Sequence, residues 1–586
     1  MRIKLLLSAI ICVLWVGTAQ ATTYVVSAGA TRQTTPCNDS TPCDLAWVNG
    51  QVSAGDTVQL MAGTYSDSDE LIIPGASGRD WTSNLITYED YGDGTVSLTQ
   101  AGSIINGNGT VELRELSYIK IEGLSFTASS GCAIWMIESD HIWFENLTIN
   151  GGYNRAFAIN RVGSWTASQN WSLDHTIHVA GKWYTITTDN GSTGGEEPSW
   201  DTTEGNTTVD GDITWTCEGD IESSYILLNN ITINDNSGDL GDSDPYDQIT
   251  ISYDTHHLLV KNSSFTESKH LLIMVVGGTG SGNCPYNLAF VNNTFDTPTN
   301  DSGLMVSRDA DWSTDNLSLV EGNFFNSAYK HGLRVEGDRN IVRYNVAEDS
   351  DGTENAYTSG DACAGIALQN YNDATWNHDK QCASNRIYNN TSTNNLGYGL
   401  FYRWSNNAVQ PSSNILKNNI FVDNWGKGSG EWNVGINWDA GAASEPCDIY
   451  TYNAIHDNDS DDSVYVDGAG RMTSGTFTQS EADTQYVDCP TTEDVEFTSN
   501  INAVPGFNDS SGESYDAYIL TSSSPFIDQG IYLTQANGSG SASESLIVDD
   551  ARYFQDGMGM TGAPFSLDAD CIAIGNVNDT VCISAI

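Results

Sequence analysis

Basic residues are scarce in this chain, 23 Lys and Arg against 76 Asp and Glu, so a place where they gather is informative. They gather in the middle: Lys269 and His270, then Arg308, then Lys330, His331 and Arg334. Abstracting a proton beside a carboxylate needs a base within reach and a cation to neutralise the charge that builds up on the acid. This set offers both. Singly, each would read as a solvated or turn residue. Together they fall at comparable points of neighbouring repeats and are expected to converge on one patch.

Oxygen ligands are concentrated beside the basic cluster, in the runs 235–247, with Asp242, Asp244 and Asp247, and 348–354, with Asp349, Asp351 and Glu354. Several acids in one loop repel one another unless a cation is present, and calcium takes about six to eight such oxygens. Calcium is therefore the expected cofactor, although neither run fits the EF-hand pattern and acidic turns are common in so acidic a chain. Tyr371, Trp376, His378, Tyr398, Tyr402, Arg403 and Trp404 would extend the same face, either as a binding surface or as packing between repeats. Hydrolysis between two carboxylates has no specific pair to recommend it among so many acids.

What would position these groups is a recurring phrase that alternates apolar and polar residues and ends in Asn plus a small or apolar residue. It occupies 118–126, 141–149, 225–233, 257–265, 287–295 and 316–324, with shorter copies at 340–345, 385–390 and 414–421. Anchors such as Gly123 and Asn146, or Asn323 and Asn345, lie about one solenoid turn apart. Short period-two strands separated by Asn, Gly, Asp and Ser, with no long amphipathic helix, predict an all-β coil whose rungs cover each other's apolar faces. Asn suits its turns, since it tolerates left-handed φ and its amides can stack as a hydrogen-bonded ladder. A β-propeller would show a longer period. Asp44 is placed to cap a short helix carrying Leu45, Val48 and Val52, which would plug the open end of the coil.

These repeats, with the opening segments 23–27, 54–60 and 62–65, resemble the right-handed parallel β-helix proteins, the superfamily that includes pectate, alginate and chondroitin lyases. The resemblance covers nearly all of the mature chain and implies sugar cleavage in a groove along one parallel sheet. The phrase 333–345 is similar to one in alginate and chondroitin lyases whose arginine acts as the acid, here Arg334. That family places a lysine base about one rung earlier; the region around Ser313 has none. The base is left to Lys269, Lys330 or His331. The segments 505–507, 524–530 and 546–554 are similar to closing phrases of bacterial β-helix proteins and mark architecture only.

The rhythm breaks at 164–219, a stretch dense in Trp165, Trp171, Trp183, Tyr184, Trp200 and Trp215. It resembles a small β module found in phage tail proteins and carbohydrate-active enzymes. Its aromatic rings can stack on sugars or form the core of a small domain poor in other apolar residues. The expected organisation is a leader at 1–21, an N-terminal cap and first rungs at 22–163, the module at 164–219, central rungs at 220–470, and C-terminal rungs with a closing segment at 471–586.

The start of the chain reads as an export signal: Arg2 and Lys4, an apolar run from Leu5 to Val16, and a small-residue exit ending at Ala21. That run is shorter than a membrane span, and no later stretch is apolar enough to anchor the chain. Losing Arg2 and Lys4 takes the net charge from −53 to −55, which repels phosphates and excludes nucleic acid as a natural partner. Without Cys12, eleven of the 12 cysteines remain, predicting disulfides and one odd thiol. The near pairs are Cys37–Cys43, Cys363–Cys382, Cys447–Cys489 and Cys571–Cys582, and with no C-x-x-C pair neither zinc nor redox chemistry is supported. The expectation is a secreted monomer that meets an extracellular acidic polysaccharide and cleaves it by β-elimination. A glycoside hydrolase on the same fold and a non-catalytic carbohydrate-binding or adhesion protein are the alternatives.

Overall fold

The computed structural model describes residues 21–66, 71–100, 109–128, 132–151, 155–160, 163–165, 167–171, 176–179, 182–187, 191–234, 247–276, 285–298, 301–306, 318–350, 363–370, 382–404, 413–424, 436–439, 449–456, 463–467, 475–478, 497–509, 514–537, 545–573 and 580–584. The expected leader lies outside them, apart from Ala21.

The chain winds into a parallel β-helix in which a typical turn contributes three short strands, as in Tyr286–Val291, Thr294–Pro298 and Leu304–Val306. The first two strand positions stack into two ladders of a continuous 24-stranded sheet, and the third into a 12-stranded sheet. Pairing along the coil is parallel and in step, except that the last strand of the 12-stranded sheet, Gly475–Thr478, pairs antiparallel with Ser463–Asp467. In the first ladder Leu228, Val260, Phe290, Val320, Val342, Ile387, Leu416 and Tyr450 form one inward column. In the second, the rings of Phe265, Phe295 and Phe325 stack at centroid distances of 5.2 and 4.8 Å. Period-two alternation makes this possible, because each rung presents every second side chain to a shared core.

The turn between the first two ladders explains the recurring Asn. Asn293, Asn323, Asn345, Asn390, Asn419, Asn453 and Asn500 are buried one above another. Each Oδ1 from Asn323 onward accepts the backbone N–H and the side-chain amide of the preceding member; from Asn293 to Asn323 both distances are 3.0 Å. The left-handed conformation falls on the residue just before: Asn292, Gly322, Tyr344, Asn389, Asn418 and Tyr452 all have φ between 55° and 66°. Two adjacent positions thus divide the tasks that the sequence reading gave to a single asparagine. A helix does follow Asp44, whose Oδ1 accepts from the N–H of Ala46 at 2.9 Å; it spans Leu45–Asn49 and buries Leu45 and Val48.

Beyond the last rungs the chain runs back along the outside of the first ladder as a strap. Ile531 hydrogen-bonds Asn418, Asp550 pairs with Arg386 at 2.7 Å, and Asp570 with Arg343 at 2.6 Å. The Tyr388 hydroxyl donates to the Tyr553 carbonyl and Lys261 to that of Phe565. Met558, Met560, Phe565 and Leu567 of the strap cover Leu227, Leu259, Ala289 and Leu319.

The segment 163–219 folds into a five-stranded sheet in the order Gly163–Ser164, Thr176–Val179, Lys182–Ile186, Ile213–Gly219, Thr207–Asp210. Four of its tryptophans, Trp165, Trp183, Trp200 and Trp215, are spent on packing. Trp215 is buried with Ile177, Tyr184 and Ile213, Trp165 and Trp200 pack on that cluster, and Trp183 joins Trp135, Ile137 and Ile221 at the seam with the coil. Trp165 and Trp215 both donate to the buried Asp210. Two disulfides, Cys37–Cys43 and Cys571–Cys582, are formed among the described residues. The expected Cys363–Cys382 bridge is not one of them. Cys363 and Cys382 flank the strand Ala364–Asn370 at opposite ends, and Sγ of Cys382 lies 3.4 Å from the Val335 carbonyl. Cys447 and Cys489 fall outside the described residues.

Candidate functional site

On the third ladder, Ile273, Leu304 and Leu333 pair in register and point into the core. Three residues before each stand His270, Asp301 and Lys330, so consecutive rungs stack a cation, an anion and a cation in one column. The next outward-facing column runs Thr250, Met274, Met305, Arg334, which brings Arg334 beside the same acid. Asp301 is the hub: its carboxylate lies 3.5 Å from His270 Nε2, 3.3 Å from Lys330 Nζ and 3.7 Å from Arg334 Nη1. Ser302 donates to it as well.

Two further carboxylates anchor this group from either side. Nδ1 of His270 is 2.7 Å from Asp247 Oδ1, and Arg334 pairs with Glu336. Thr250 bridges Asp247 to Arg155 on the preceding rung, through contacts of 3.3 and 2.9 Å. The acids lie below and the bases above. Side chains of Asp247, Asp301 and Glu336 are only 1, 6 and 2% exposed, against 26, 23 and 15% for His270, Lys330 and Arg334.

The electrostatics follow from that layering. Burial alone would push the Asp301 carboxyl up, but Arg334, Lys330 and His270 outweigh it and hold the group down at about 2. Burial likewise works against a charged His270. The hydrogen bond to Asp247 and the negative fields of Asp247 and Asp301 win, and its imidazole is raised above the ordinary value despite Lys330. The result is a fixed, partly solvent-facing group of cations in a strongly acidic protein.

Three of the six residues expected to form one patch are thus brought together on Asp301: His270, Lys330 and Arg334. Lys269 is partly exposed on the turn before His270. His331 is buried, with Nε2 2.8 Å from the Gln369 amide and its ring stacked on Phe401. Arg308, Tyr371, Trp376 and His378 lie outside the described residues, as do Asp242, Asp244, Asp351 and Glu354. Tyr402, Arg403 and Trp404 lie on the strand Tyr398–Trp404, in register with Leu368, Gln369 and Asn370 two rungs beyond Arg334. Tyr398 stacks on Phe401.

Two of the proposed calcium ligands are described, and they do different things. Asp247 commits Oδ1 to His270 and Oδ2 to Thr250; Asp349 is an exposed residue at φ 51° just beyond Glu348. Among the described residues no group of three or more His, Cys, Asp or Glu is placed to hold a metal ion. Sequence reasoning missed Asp301, Glu336 and Arg155. Counting back from the core anchors would have found Asp301; Arg155 reaches the site across the inserted module and leaves no spacing signal.

No family model matches the chain. No curated protein matches it either. Among solved structures it is similar to a pectate lyase, at 11% identity and a TM-score of 0.33 over 69% of this chain and 80% of that one. It is also similar to the A-module of a mannuronan C-5 epimerase from Azotobacter vinelandii, at 10% identity and a TM-score of 0.40 over 77% and 91% of the two chains. A surface adhesin of Streptococcus pneumoniae is as near, at 11% and 0.40 over 74% and 88%. Likenesses this distant carry nothing about chemistry, and a fold shared by lyase, epimerase and adhesin does not choose among them.

Proposed function

We propose that the third-ladder face binds an anionic polysaccharide outside the cell and cleaves it by β-elimination. The observation that carries this reading is the convergence of His270, Lys330 and Arg334, cations facing solvent, on carboxylates buried beneath them. Arg334 and Lys330 would take the carboxylate of a uronic acid and neutralise it as the adjacent carbon loses its proton. His270 in its neutral form would accept that proton on Nε2, with Nδ1–H held by Asp247. The C–H electrons form the new double bond as the glycosidic C–O bond breaks, and the imidazolium returns its proton to the departing oxygen. Two disulfides suit an oxidising compartment, and no helix among the described residues is long and apolar enough to cross a membrane.

The test is ultraviolet absorbance of unsaturated uronates while the mature protein is incubated with alginate, pectate and glycosaminoglycans, with and without calcium. A rise that is lost in Arg334→Ala supports the lyase and names its substrate. No rise and no new reducing ends would turn the reading to a binding protein, and reducing ends without absorbance to a hydrolase.

A further inference from the structure

A cleft lies away from this face, where the C-terminal strap first meets the turns between the first and second ladders. It encloses about 300 Å³, at the lower end of the size of small-ligand sites. Its floor is the column of left-handed turn residues Tyr344, Asn389, Asn418 and Tyr452, one per rung, with φ of 55° or 56°. Rungs about 4.8 Å apart set Tyr344 and Tyr452 roughly 14 Å from each other with amides between them. The wall is Tyr515, Tyr518, Ile519, Phe526 and Gln529 of the strap. Tyr518 is fixed by hydrogen bonds with Glu348 and Asn394, and Asn418 ties floor to wall through Ile531.

Two features of the lining select a ligand. Of its nineteen residues none is charged, although 17% of the chain is, so about three would be expected by chance. Two tyrosines that line it are unusually open for their size, Tyr344 at 42% and Tyr515 at 36%. Aromatic faces beside amides and hydroxyls, without ionic groups, match the alternating apolar faces and hydroxyl edges of an uncharged pyranose. The guanidinium of Arg343, 5.8 Å from the centre of the Tyr344 ring, is already neutralised by Glu321 and Asp570, so an anionic sugar would find no spare counter-charge there.

We infer that this cleft is a binding site for a neutral oligosaccharide, separate from the Asp301 face. The reading is independent of the lyase proposal, since the cleft is built from other ladders and from the strap. The experiment is calorimetric titration of the full mature protein with hexasaccharides of β-linked glucose, mannose, galactose and xylose. At least one should bind, and Tyr344→Ala and Tyr515→Ala should each weaken it about tenfold with melting temperature unchanged, because both side chains are partly exposed. Tyr344→Phe, which keeps the ring face, should retain most of the affinity. No binding by any of the four sugars, or binding that survives both alanine substitutions, would overturn the inference.

Discussion

The first and third ladders use the same scarce resource in opposite ways. On the first, Arg343 and Arg386 meet carboxylates that arrive from above, Asp570 and Asp550 of the strap, and their side chains are 7 and 1% exposed. On the third, the carboxylates belong to the coil and lie below, so His270, Lys330 and Arg334 keep a surface toward solvent. On the proposed reading, a cation in this fold becomes a fastener when its partner covers it and a recognition group when its partner supports it. The same residue types, counted along the sequence, would not reveal the difference.

The largest effect that sharpens this contrast is on activity. His270→Ala should lower turnover of a uronate polymer by about 10²–10⁴-fold, whereas Lys261→Ala, under the strap, should leave it unchanged; steady-state rates on the substrate identified by absorbance check both. Next is stability. Arg343→Ala strands Asp570 and Glu321 and should cost about 3–5 kcal/mol, read as a shift of the denaturation midpoint and as earlier proteolysis of the strap. Asn390→Ala, in the middle of the ladder, leaves the backbone N–H and one side-chain N–H of Asn345 without an acceptor and should cost about 1–3 kcal/mol, with no selective loss of substrate affinity.

The smallest effect is a pH response that should separate the two faces. His270 is raised in the folded state, so its contribution to stability is complete below the ordinary imidazole value and is lost as pH rises through the raised one. Asp301 is held at about 2; its contribution is present above the ordinary carboxylate value and fades as pH falls toward that figure. The strap's Asp550 is also lowered, so acid loosens both faces. Alkali should loosen only the third ladder, seen as faster hydrogen exchange at 247–276 while 545–573 stays protected, and His270→Gln should remove the alkaline effect. Catalysis by neutral His270 would rise over the same range in which local stability falls.

Much of the coil is legible in the sequence because its rules are local. Alternation dictates the strands, and a stacked asparagine announces itself wherever it recurs next to a residue that accepts left-handed φ, as at Asn292–Asn293 and Asn389–Asn390. The gathering of His270, Lys330 and Arg334 is readable for a related reason: scarce cations stand out. Asp301 is hidden by abundance, one acid among 76 Asp and Glu, and only its register gives it away. The tryptophans of the inserted module are ambiguous because a sugar platform and a small core draw on the same residues, and burial of Trp183 and Trp215 is a tertiary outcome. The Cys363–Cys382 expectation fails because nearness in sequence does not bring together sulfurs at the two ends of an extended strand. The strap's course is invisible for the same reason, since Asp570 meets Arg343 across 227 residues.

The central claim is that support from below leaves the third-ladder cations a solvent-facing surface with which to take an anion. It is tested most directly by titrating the mature protein with tetrasaccharides of guluronate, mannuronate and galacturonate at low ionic strength, for the unmodified chain, Lys330→Ala, Arg334→Ala and Lys261→Ala. The account predicts that at least one tetrasaccharide binds, that binding weakens with added salt, and that it is lost with Lys330 or Arg334 but kept with Lys261→Ala. Binding that survives the loss of both Lys330 and Arg334, or that disappears with Lys261, would contradict it.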